Sequence, residues 1–185
     1  MEIRATTSWG WICLLFAAQA IGSLVIAQLF RMDLRDIYIP VLLLVIGAII
    51  SAIFQLYSNS RVFGAWQWWV PAAIYALFIF SLSNQSYPDA QPAFSTKVFH
   101  PIEYAVLGLL ICVASLTALR KKGLPLFSAQ VFSIGILFGI SDELHQAFIP
   151  GRTPRLTDVF FWDLMGIIGA WTVIMILRRF LPQRQ

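Results

Sequence analysis

Six apolar runs, each about as long as a helix needs to cross a bilayer, take up most of this chain: roughly 9–30, 39–58, 66–83, 100–119, 126–148 and 159–177. A spanning helix uses ~20 predominantly apolar residues. Inside lipid every backbone N–H and C=O must be paired within the structure, which a helix achieves by itself. Charge agrees with length: 12% of the residues are charged, where soluble domains carry about 25%, and mean hydropathy is +0.77. The expected fold is all-α, a polytopic membrane bundle of about six transmembrane helices forming a single domain over residues 1–185.

Two runs need argument. The third contains Pro71 and leans on Trp66, Trp68 and Trp69, residues that suit the aromatic belt at a membrane interface. The first begins behind Met1-Glu2-Ile3-Arg4 and contains Ala18-Gln19-Ala20, which resembles a signal-peptidase site. Its apolar stretch continues to Phe30, too long for an ordinary signal core, so an uncleaved helix is expected.

Six crossings put both termini on one side. That side would hold Arg4, Arg61, Arg120, Lys121, Lys122, Arg178, Arg179 and Arg184, against Arg31, Arg35, Lys97, Arg152 and Arg155 on the other. The excess of basic residues in short cytoplasmic loops places both termini in the cytoplasm. The same parity turns the 84–99 loop, the start of the fourth helix, the end of the fifth and the start of the sixth to the outer face. The unusual polar residues occur at those places.

The net charge of +4 is distributed over short loops between apolar runs, so it reads as topology and anionic-lipid contact and not as a nucleic-acid surface. Cys13 and Cys112 both lie inside apolar runs and no CxxC is present, which argues against a thiolate metal site or a disulfide framework. Phosphate-binding glycine loops, a GxSxG elbow and HExxH are all missing from the sequence. Internal repeats and low-complexity segments are not evident.

The chemistry is concentrated in three helix ends. The fourth run opens with Lys97, His100, Glu103 and Tyr104, and offsets of three and four put His100, Glu103 and Tyr104 on one face. A His and a Glu one turn apart can chelate a metal or share a proton; alternatively they are an ion-paired helix start with Glu103 favoured by the helix dipole. The fifth run ends in Asp142, Glu143, His145 and Gln146. Adjacent carboxylates at membrane depth repel, so at least one needs a proton or a cation, with Arg152, Arg155, Lys97 and the histidines as candidates. Pro150-Gly151 turns the chain sharply and would fold Arg152 back over the cluster, to pair internally or to clamp an anion. In the sixth run Asp158 is a candidate N-cap, whereas Asp163 lies too deep to cap and should face the bundle interior. Gly166 and Ala170, four apart, allow close helix packing.

These residues resemble the VanZ-like family, whose namesake is associated with bacterial resistance to the glycopeptide teicoplanin. The resemblance is carried by Ser81-Leu82-Ser83-Asn84-Gln85, by Lys97 with His100, Glu103 and Tyr104, by Ser141-Asp142-Glu143 with Gln146, by Pro150-Gly151-Arg152, and by Asp158 with Gly166 and Gly169. The VanZ-like region is expected over about 66–178. The family pattern has Asn three residues before the glycine and Asp one turn earlier. Here Asp163 stands three before Gly166 and Asp158 five before that, so the Asp role falls to one or the other.

The resemblance implies an envelope membrane protein that affects glycopeptide susceptibility. Its polar site would bind or process an envelope lipid or precursor bearing a phosphate or an amine. As an enzyme it would use His100 and Glu103 as base or ligands and Asp142 and Glu143 as acid or ligands, with a divalent metal as one option. Lys97, Tyr104, His145, Gln146, Arg152, Asp158 and Asp163 would complete the binding site. The competing reading is a non-catalytic membrane factor whose charge cluster is a structural ion-pair lock. A proton-coupled carrier fits less well, because no polar path reaches the cytoplasmic helix ends.

Overall fold

The computed structural model describes residues 5–29, 31–57, 64–85, 99–118 and 123–180. Lys97 and the basic groups at 120–122 fall outside them. Six helices cover the described chain: α1 (Ala5–Leu29), α2 (Leu34–Leu56), α3 (Trp69–Ser83, entered through a 3₁₀ turn at Ala65–Trp68), α4 (His100–Ala118), α5 (Leu124–Gln146) and α6 (Leu156–Phe180). All six are long and apolar enough to span a membrane, and no strand occurs among the described residues. The chain is therefore an all-α, multi-pass membrane protein.

Helix starts follow local chemistry. α2 begins five residues before its apolar run, because the Asp33 side chain accepts the Arg35 N–H at 2.9 Å and caps it. Pro71, Pro101 and Pro125 each fall in the first turn of an α-helical stretch, where the missing N–H costs nothing. The proline that weakened the third run thus sits at its start.

Two compact units make up the chain, residues 2–82 and residues 83–185. In the first, the Phe16 ring of α1 occupies the space over Gly47 of α2. Trp9 is fully buried, stacked on Trp68 at 4.2 Å and tilted against Phe54 at 4.8 Å. Of the tryptophans expected in an interface belt, Trp66 is exposed but Trp68 turns inward, because Trp9 offers it an aromatic face. Trp9→Ala should cost about 3 kcal/mol through lost ring contacts and a cavity, read as a lower Tm of the detergent-solubilised protein.

In the second unit α4 packs along α6, with α5 against both. Hydrophobic burial does not drive helices together in lipid; close backbone approach does. Ala170 and Ile167 of α6 fill the space at Gly108 of α4, and Ile167 also covers Gly135 of α5. Gly166 lies directly on the α4 backbone between Pro101 and Ala105. The Trp171 indole N–H donates to the Ser128 hydroxyl at 3.1 Å, tying α6 to α5. Large apolar side chains such as Leu137, Phe160, Phe161 and Ile176 are exposed and suit lipid.

Candidate functional site: a buried polar cluster on α4, α5 and α6

The packing of α4 through α6 brings their polar ends together. His100, in the first turn of α4, contacts Asp163 through Nδ1 at 3.1 Å to Oδ1. The Asp163 side chain is 3% exposed and that of His100 12%. Tyr104, one turn further along α4, is fully buried; its ring lies parallel to His100, 6.1 Å away, and beside Phe138 of α5. Glu103, half-buried, is within electrostatic reach of His100, Asp142, Asp163 and Arg152.

Asp142 is 1% exposed. Its Oδ2 accepts the Ser83 hydroxyl at 2.9 Å and the Gln146 amide at 3.0 Å, and that amide also reaches the Ser83 oxygen at 3.3 Å. The donors on Asp142 are thus neutral. Glu143, on a different face of α5 and also buried, accepts the backbone N–H of Arg155 at 2.6 Å. His145 is half-buried on the same turn.

Arg155 thus meets Glu143 through its backbone N–H, while the Arg152 side chain stands within electrostatic reach of Glu103. The Pro150-Gly151 turn does form, with Gly151 at φ 80°, a left-handed conformation suited to glycine. It aims the Arg152 Nε at the Gln85 carbonyl, 2.9 Å away, so the arginine ties the 84–85 segment to the α5–α6 turn. A backbone carbonyl needs a donor as much as a carboxylate does, and this one lies on the route of the turn.

α6 opens irregularly. After one α turn, Leu156–Asp158, the backbone widens into a π turn over Val159–Asp163, closed by the Leu164 N–H on the Val159 carbonyl. A turn closed five residues on sets residues five apart nearly above one another. Asp158 and Asp163, which a regular α-helix would splay apart, are consequently both buried. Both therefore face inward. Asp158 is not an N-cap, since Arg155 occupies that position and Asp158 lies within the first turn. π turns cluster at functional positions.

Sequence reasoning passed over Ser83, the Gln85 carbonyl and the Arg155 amide as bonding partners. Ser83 had a usable signal, a hydroxyl at the last turn of an apolar helix on the side where parity gathers the other polar groups. The two backbone groups had none. Among the described residues, no three of His, Cys, Asp and Glu converge as metal ligands.

Six spanning helices and a buried acid–histidine cluster define a polytopic membrane protein with a polar centre built from its last three helices. A family model described as VanZ/LLP1 matches residues 6–178, so the chain belongs to the VanZ-like family. The match takes in α1 and α2 as well as the stretch that carries the motif residues. No curated protein and no solved structure matches.

Proposed function

We propose that this VanZ-like protein resides in the bacterial cytoplasmic membrane with both termini in the cytoplasm. Its α4–α6 cluster would work at the extracytoplasmic face, binding or processing an envelope lipid or precursor and thereby altering glycopeptide susceptibility. The observation that carries the reading is the His100–Asp163 pair. A buried carboxylate on Nδ1 orients the imidazole, the more exposed partner of the pair, and leaves Nε2 to take or give a proton. That is the equipment for acid–base-assisted hydrolysis or group transfer. Asp142, held by Ser83 and Gln146, and Glu143, held by the Arg155 amide, supply further carboxylates.

The ion pair also suits the structural lock, and mutation separates the two readings. Gln at position 143 can still accept the Arg155 N–H through its amide oxygen and loses only the charge. Glu143→Gln and Asp142→Asn should abolish the envelope phenotype at near-normal yield. A lock would instead lower the yield, because breaking a buried pair costs about 3–5 kcal/mol. Full function in both variants would remove both readings. Orientation has its own check: reporter fusions at residue 185 and within 120–123 should both report cytoplasm, and a periplasmic signal at either would overturn the placement.

A further inference from the structure

Three oxygen atoms in the cluster lack a hydrogen bond of good geometry: Asp142 Oδ1, Asp163 Oδ2 and Tyr104 Oη, the phenol standing within reach of the Asp163 carboxylate. Each belongs to a residue at least 98% buried. Buried polar atoms short of partners are costly; the two carboxylate oxygens ask for donors, and the phenol oxygen, itself a donor, can also accept. The three atoms come from three helices and their side chains lie within electrostatic reach of one another, with Asp163 and Tyr104 beside Gly139 of α5. A Cβ at that glycine would stand 3.0 Å from Asp163 Oδ2 and 3.6 Å from the Tyr104 ring. Asp142 is the next residue of α5 on that face, three positions along.

The charge pattern has depth. Asp142, Glu143, Asp158 and Asp163 are buried, whereas Arg152 is half-exposed and Arg155 exposed. A phosphate placed among the acids would meet like charge. A protonated amine meets opposite charge, and its three N–H donors match three acceptors. An amine inside with its phosphate outside, toward the arginines, is the arrangement of a zwitterionic phospholipid headgroup. A metal ion is a poorer match, because a phenol stands where a third acidic or imidazole ligand would, and no such trio converges among the described residues.

We propose that Asp142, Asp163 and Tyr104 receive the primary ammonium of a lipid headgroup. This rests on the envelope-lipid reading above and names the chemistry that the site selects. Quaternary ammonium carries no N–H and should be rejected, as should an anionic headgroup without an amine.

The test uses the full-length protein in mixed micelles, titrated separately with short-chain phosphatidylethanolamine, phosphatidylcholine and phosphatidylglycerol, and with sodium or magnesium chloride alone. Binding is followed by intrinsic tryptophan fluorescence and by the shift in Tm. Phosphatidylethanolamine should bind at least about tenfold more tightly than the other two lipids, the worth of hydrogen bonds to a charged group. Tyr104→Phe should weaken it by about tenfold while leaving the lipid-free Tm close to that of the wild type, because the hydroxyl it removes makes no well-formed hydrogen bond. If that variant folds poorly, Gly139→Ala serves instead, its methyl intruding on the same space.

Equal binding of phosphatidylethanolamine and phosphatidylcholine would overturn the assignment. So would full stabilisation by a metal salt alone, or wild-type binding by both variants. Lost headgroup selection beside a non-functional Glu143→Gln defeats only the ammonium assignment. Intact selection beside a functional Glu143→Gln and Asp142→Asn defeats the functional reading.

Discussion

Gly166→Ala should leave little folded protein. A methyl at that position would come within 2.7 Å of the Ala105 nitrogen, 3.0 Å of the Tyr104 carbonyl carbon, and closer still to the Pro101 carbonyl oxygen. All three are backbone atoms, so no rotamer change relieves the clash and α6 must move off α4. Overpacking commonly costs about 1–3 kcal/mol, and a backbone obstruction belongs at or above the top of that range. Asp163 lies one turn before Gly166, so the same displacement would separate Asp163 from His100. Gly169→Ala is the control: nothing lies within 4 Å of its Cβ position. Folded yield and Tm in detergent should fall for the first variant and stay unchanged for the second. Equal behaviour would mean that α6 does not depend on close approach to α4.

Asp163→Asn should remove function with a smaller effect on folding. The carboxylate accepts from His100 Nδ1 and so favours the tautomer with a free lone pair on Nε2, the base of the proposed acid–base reading. An amide can present its NH₂ to Nδ1, which moves the imidazole proton to Nε2 and takes away the base. General acid–base catalysis supplies ~10²–10⁴-fold, so a loss of that order is expected in any turnover assay. In cells it should read as loss of the glycopeptide-susceptibility phenotype. His100→Ala should match it, and the double variant should be no worse than either alone, because the two residues act as one unit. Wild-type phenotype in Asp163→Asn would sink the dyad. A collapse in yield would favour the structural lock.

The number of helices, their spans within a few residues, and the identity of the polar ends were legible in the sequence. A run of about 20 apolar residues has one economical structure in lipid, and intramembrane charges are rare enough to stand out. Gly166 and Ala170 could be recognised as a close-packing face, since a missing or small side chain has the same consequence wherever the helix lies. Which partner each polar group takes depended on three-dimensional placement.

The sequence offered Arg152 either a carboxylate or an anion, and could not show that its Nε also bonds the Gln85 carbonyl. Nor could it show that Asp142 accepts from Ser83, 59 residues away in the chain. Asp158 and Asp163 fall on different faces under regular helical spacing, and only the π turn brings both inward. Composition and periodicity set where charge must leave the lipid. The pairing inside the cluster was decided by tertiary structure, because hydrogen bonds are short and directional, and residues distant in sequence meet only once the helices have packed.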